Sequence, residues 1–200
     1  MKKKMSRETT DVRQEQIKRA VLDIIADEGL QNISTRNLAK RIGLSEGAIF
    51  RHFPTKRDII KGIMDDVAND LIGSLRNIVL KPEKAEDKLF KYLCQNVKYL
   101  KENRGITMLL FSEAAHLGDK ELKEKLNQIL YEQKQLIIKM VKDGISEGVW
   151  DKSVNADDVA IIYMGIPITF NIEFVLNKNG LNADNFCKRM YTLIIKTLKH

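Results

Sequence analysis

Three prolines and eleven glycines in 200 residues leave long stretches of chain with no helix breaker. No segment alternates apolar and polar residues in the two-residue rhythm of a half-buried strand, and no internal repeat is present, so the sequence reads as all-α. No apolar run approaches the ~18 residues of a membrane span. The basic start, Met1-Lys2-Lys3-Lys4, leads into polar Ser6-Arg7-Glu8-Thr9-Thr10 instead of the apolar stretch of an export signal. Only two cysteines occur, Cys94 and Cys187, each alone within an apolar helical pattern and far from any CxxC spacing. They read as buried free thiols in the reducing cytoplasm. A nucleophile–base pair, a glycine-rich phosphate loop and a full metal-ligand cluster are all missing. The reading is therefore of a protein that is not an enzyme and needs no cofactor or metal.

Charge is present but unevenly spread. The chain carries a net +7. Residues 1–61 hold fourteen Lys and Arg against eight Asp and Glu, while residues 62–200 hold twenty against nineteen. Nearly the whole excess lies in the first third, the footprint of a nucleic-acid-binding module on a neutral body. A sequence-indifferent DNA-packaging protein would share the charge, but not the turn geometry described next.

Residues 1–10 read as a basic arm. From Asp11 to Glu28, the positions Ile17, Ala20, Val21, Ile24 and Ile25 follow helical spacing, and Gly29 ends the helix. Ser34 suits the N-cap of a short helix, Thr35 to Arg41, that stops at Gly43. Ser45 caps a third, Glu46 to His52, which Pro54 keeps short. Thr55 opens a long helix, with Asp58 as a capping-box partner and an apolar stripe from Ile59 to Val79. Further helices fall near 83–103, 105–117, 119–147, 155–177 and 182–198.

In the segment from Thr35 to Phe53, Ala39 is the small residue that two steeply crossing helices need where they touch. Gly43 tolerates the positive φ of a tight turn. Leu38, Ile42, Leu44, Ile49 and Phe53 are the apolar groups that fix the angle. The A-x3-G-x5-I spacing thus builds a helix-turn-helix, whose second helix enters the major groove.

Gly29-Leu30, Ser34-Thr35-Arg36-Asn37-Leu38-Ala39 and the run from Gly43 through Leu44-Ser45-Glu46-Gly47-Ala48-Ile49-Phe50-Arg51-His52-Phe53-Pro54-Thr55 to Lys56 closely resemble the DNA-binding domain of the tetracycline-repressor (TetR) family. The resemblance is specific over about residues 12–67 and extends to the rest only in helix number and length. It implies a repressor with nine or ten helices, working as a homodimer on a palindromic operator, with a ligand pocket; an apolar pocket with few polar groups would suit release by a small hydrophobic or amphipathic ligand. It also implies roles for single residues. Thr35 resembles a phosphate contact at the start of the second helix, and Arg36 a residue that reaches a base edge. Ser45, Glu46, Gly47 and Ala48 match the exposed front of the recognition helix. Arg51 matches a base or phosphate contact, and His52 and Lys56 match phosphate contacts. The family most often has Tyr where Phe50 stands, so one phosphate-binding hydroxyl is missing.

The expected division is residues 1–61 as a DNA-binding helix-turn-helix domain and residues 62–200 as a ligand-binding and dimerisation domain. The segment 155–177 is apolar almost all round, so it must be buried on several sides, one of them another subunit. The resemblance agrees, implying a four-helix dimer interface from the last two helices; Phe170, Phe174, Met190 and Ile194 are its candidates. A pocket is expected among Leu89, Leu93, Asn96, Tyr99, Met108, Phe111, Glu113, Met140, Trp150, Met164 and Phe170. Glu113 and His116 stand one turn apart, but two ligands are too few for a defined metal site.

Overall fold

The computed structural model describes residues 9–116, 118–177 and 183–199. Among them every regular element is helical. The chain divides into two compact units, 1–63 and 64–200.

The first unit is a three-helix head. Helix α1, Thr10–Glu28, starts at a Thr9 cap and ends at Gly29, where φ is 92°. Its inward face is the apolar set Ile17, Ala20, Val21, Ile24 and Ile25. Helix α2, Thr35–Ile42, is capped by the Ser34 side chain, which accepts from the Asn37 N–H. Gly43 then turns left-handed (φ 66°, ψ 33°), a conformation that costs a residue with Cβ and costs glycine little. Helix α3, Glu46–His52, is capped by Ser45 in the same way. Leu38, Ala39, Ile49 and Phe53 are buried together, while Ile42 and Leu44 are only half-buried. Arg41 fastens α2 to the end of α1 through Asp27 and Glu28, both at 3.1 Å. The Gln14 amide donates to the His52 carbonyl at 3.0 Å and holds α1 against the end of α3.

Helix α4, Lys56–Asp66, begins with a reciprocal capping box. The Thr55 N–H donates to the Asp58 carboxylate at 3.0 Å, and the Asp58 N–H donates to the Thr55 hydroxyl at 3.2 Å. Its backbone continues without a break through a π-helical turn, Val67–Ile72, into α5, Gly73–Leu80. The three together make the one long helix expected from Thr55 to Pro82, so the ten α-helices form nine continuous rods among the described residues.

The second unit is a bundle of α5, α6 (Ala85–Glu102), α7 (Ile106–His116), α8 (Lys120–Ser146), α9 (Ala156–Leu176) and α10 (Ala183–Leu198). Helices α8 and α9 form the most extensive pairing, and α6 packs on both of them and on α10. The Glu147 carboxylate, just past α8, accepts from the Ala85 N–H at 3.1 Å and so caps α6 from outside. Deep in the bundle the Tyr163 hydroxyl donates to the Leu89 carbonyl at 2.5 Å, and the Asn171 amide to the Leu100 carbonyl at 2.7 Å. These two bonds fix α9 along α6 at both ends of the contact.

Helix α9 corrects one expectation. It is long and apolar enough to cross a membrane by length and composition. Its apolar residues divide between two faces, however. Tyr163, Pro167 and Phe170 are buried inside the unit, whereas Ile161, Ile162, Ile172 and Leu176 are exposed.

Candidate nucleic-acid interface and ligand cavity

The head brings several of the sequence-selected residues into one cleft. Ser34 and Thr35 at the start of α2, Phe50 on α3, and Thr55 and Lys56 at the start of α4 line it, over a floor of Leu38, Ile49, Phe53 and Ile59. Beside it, Arg36 and Arg51 are exposed and, among the described residues, have no ion-pair partner. That separates them from Arg41, whose guanidinium is held by two carboxylates. Ser45, Glu46 and Gly47 are exposed at the front of α3, and Ala48 is half-buried. A Cβ at Gly47 would meet nothing within 4 Å, so the glycine leaves open space there. Phe50 is 49% exposed at the edge of the cleft. His52 is half-buried, with Nδ1 buried and unpartnered among the described residues.

A second, separate site lies in the bundle. A cavity is walled by Val67 and Leu71 of the π-helical turn, Leu100 of α6, Ile106 and Leu110 of α7, Leu126 and Ile129 of α8, and Pro167 of α9. Into this apolar lining come Asn96, Thr107 and Gln133, each less than 10% exposed. Among the described residues, none of the three side chains finds a hydrogen-bond partner in the protein. The cavity is narrow, about 40 Å³, room for a few waters.

Of the pocket candidates, Asn96, Tyr99 and Phe111 line this cavity. Leu89, Leu93, Met140 and Trp150 are buried in the surrounding core outside its lining, and Met108 and Met164 are half-buried elsewhere. The side chains of Glu113 and His116 lie outside the described residues. Thr107 and Gln133 were not singled out by the sequence; helix-facing alone, not residue type, brings them in. Phe170, a candidate for both pocket and interface, is 1% exposed, with its ring 5.6 Å from Phe174 and 4.8 Å from Phe186. It lines a different groove, between α9 and α10, together with Ile162, Ile166, Phe186 and Met190. Phe174, Met190 and Ile194 are half-buried.

A short helix pair joined by a left-handed glycine, on a head separate from a helical body with its own cavity, is the build of a helix-turn-helix regulator. Residues 18–63 match the profile of bacterial regulatory proteins of the tetR family, and residues 64–197 match the C-terminal region of YsiA-like proteins. The chain belongs to the tetR family. Among curated relatives, the nucleoid occlusion factor SlmA of Actinobacillus pleuropneumoniae is 26% identical over 124 residues, which cover 62% of this chain and 61% of that protein. The match thus spans less than two thirds of that relative. The fold is shared with a tetR-family regulator from Rhodococcus RHA1, at a TM-score of 0.79 and 16% identity over 96% of this chain and 98% of the other. It is also shared with the regulator FadR of Bacillus subtilis, solved in complex with stearoyl-CoA, at a TM-score of 0.72 and 19% identity over 90% and 97%.

Proposed function

We propose that this protein is a cytoplasmic repressor that binds a near-palindromic operator as a homodimer and leaves it when a long acyl chain enters the bundle cavity. The observation that carries the DNA-binding half is the head itself: two exposed arginines without ion-pair partners, Arg36 and Arg51, beside a cleft edged by Thr35, Phe50 and Lys56. In this reading Thr35, His52 and Lys56 hold phosphates and set the register. Arg36 and Arg51 offer planar forks to base edges, from beside an α3 front of Ser45, Glu46, Gly47 and Ala48. Phe50 has no hydroxyl to donate, so its ring contributes packing against sugar or a thymine methyl.

Two substitutions separate these roles. Lys56→Ala is expected to weaken binding to every duplex alike and to lower the salt dependence by about one counterion. Arg36→Ala is expected to cost roughly 1–3 kcal/mol at one base pair per half-site, with little effect on unrelated duplexes. Measuring both against a duplex panel at several salt concentrations checks them; an Arg36→Ala protein unchanged on every sequence removes Arg36 from base recognition.

The dimer would form through α9 and α10, whose outward residues Ile161, Ile162, Ile172, Leu176 and Leu193 are exposed apolar groups on one protomer. The ligand half rests on the apolar cavity with three unpaired polar side chains, which suits an amphipathic molecule. FadR of Bacillus subtilis, with its stearoyl-CoA, supports the acyl choice. Since 40 Å³ cannot hold an acyl chain, entry must spread the helices around the cavity. Val67 and Leu71 stand in that wall and belong to the rod whose first turn carries Lys56. Pressure there would tilt the rod and spoil the groove spacing of the two heads. The coupling must be reciprocal, at about 1–3 kcal/mol, so operator DNA should weaken stearoyl-CoA binding about 5- to 150-fold. Calorimetric titration of stearoyl-CoA with and without operator tests it. Equal affinities in the two titrations rule out this release mechanism.

A further inference from the structure

The two cysteines do not lie apart. Helices α6 and α10 run antiparallel, and their contacts can be followed turn by turn. Lys199 pairs with Glu86 at 2.6 Å, and the Tyr191 hydroxyl donates to the Glu86 carbonyl at 3.2 Å. One turn further along α6, the Phe90 ring meets the Tyr191 ring edge-on at 5.1 Å. A step of four residues up α6 from Phe90 and four down α10 from Tyr191 brings Cys94 opposite Cys187. Both residues are half-buried and free, and each is the largest single influence on the other's thiol. The outward face of α10, with Lys188, Arg189, Thr192 and Leu193 exposed, points elsewhere, so the pair is not part of the exposed apolar face described above. The expected free thiols are both free, but half-buried rather than buried.

We propose that Cys94 and Cys187 are a redox-active pair, which a peroxide converts into a disulfide that ties α6 to α10. The two thiols are unequal. Cys94 beside it holds the Cys187 thiol below its usual range, while Cys187 and then burial push Cys94 well above it. Cys187 is therefore the sulfur that attacks. Its thiolate displaces hydroxide from the peroxide: an S–O bond forms, the O–O bond breaks, and the hydroxide takes up a proton as water. The Cys94 sulfur then attacks the resulting Cys187 sulfenic acid. The S–S bond forms, the S–O bond breaks, and the Cys94 proton leaves with the oxygen as a second water. The two thiols lose two electrons in all, and the peroxide gains them. On α6 Cys94 stands two residues before Asn96 and five before Tyr99, which line the bundle cavity, so the cross-link restrains the helix that forms that wall.

Treating the reduced full-length protein with hydrogen peroxide and weighing it intact without reductant tests the proposal. The expected result is a loss of about 2 Da per chain, restored by dithiothreitol, with a peptide map joining the Cys94 and Cys187 peptides. The oxidised chain should also unfold at a higher temperature than the reduced one. In Cys94→Ser the sulfenic acid at Cys187 should persist and be trapped by dimedone, whereas Cys187→Ser should give no dimedone adduct at Cys94. No reaction, over-oxidation of separate cysteines, or a disulfide only between two chains overturns the pair. Dimedone labelling of Cys94 in Cys187→Ser overturns the assignment of the attacking sulfur. The wild-type measurement needs no variant, so it decides for or against the pair even if a serine variant folds poorly.

Discussion

Glutamate in place of Ile162 or Leu193 is expected to leave the protein monomeric and to remove most of its affinity for operator. Ile162 is 55% exposed on α9 and Leu193 58% exposed on α10, so neither substitution disturbs the core of the protomer. In a two-fold dimer each change appears twice, and a carboxylate buried without a partner costs roughly 3–5 kcal/mol. A dimer constant weakened about a thousandfold corresponds to about 4 kcal/mol, within reach of a single change. DNA affinity falls with it, since one head reaches only one half-site. Glutamate at Tyr131, 64% exposed on α8, serves as control and should leave the dimer intact. Sedimentation of all three variants at micromolar concentration decides. Dimers persisting in both interface variants would move the interface away from α9 and α10. Phe170 is the wrong residue for this test, because its burial between Phe174 and Phe186 makes it part of the protomer's own core.

Gly144→Ala should be among the most costly single-methyl changes in the chain. Gly144 is buried near the end of α8, and the six-membered edge of the Trp150 indole lies where a Cβ would have to stand. The ring cannot simply withdraw. Trp150 is 3% exposed, and the N–H groups of Val149 and Trp150 donate to the Gly144 carbonyl at 3.1 and 3.3 Å, which fixes the turn that carries the indole. Overpacking of this kind costs about 1–3 kcal/mol or more. At about 3 kcal/mol the unfolding midpoint of a chain this size falls by roughly 6–12 °C. The same substitution in a Trp150→Leu background should cost clearly less, because the colliding ring is gone. Equal losses in both backgrounds would show that the indole is not the obstacle.

Which parts of this structure were legible in the sequence follows from how local their causes are. Helix ends were legible because caps are local chemistry. Ser34, Ser45 and the Thr55–Asp58 pair each bond a backbone N–H within three residues, and Gly29 and Gly43 supply the positive φ that ends α1 and α2. The helix-turn-helix was legible for the same reason, since Ala39, Gly43 and Ile49 lie close in the chain. The π-helical turn was not, because Val67, Leu71 and Ile72 continue the apolar stripe of the rod, and Gly73 just after it stays in right-handed helical backbone. The cavity was legible only in part. Asn96, Tyr99 and Phe111 were picked out by residue type, but Thr107 and Gln133 enter through the way α6, α7, α8 and α9 face one another. The cysteine pair was hidden similarly. Nothing near Cys94 points to Cys187 until the antiparallel register of α6 and α10 sets them side by side.

The claim that the head reads DNA as half of a two-fold pair is tested most directly by selecting binders from a random duplex pool with the full chain. The expected outcome is enrichment of a single near-palindrome, with half-site centres about 34–36 Å apart or a multiple of that. Two protomers should occupy each selected duplex, and Arg36→Ala should lose the preference at one position of each half. A pool that stays random through selection, with binding competed away equally by any duplex, would contradict it.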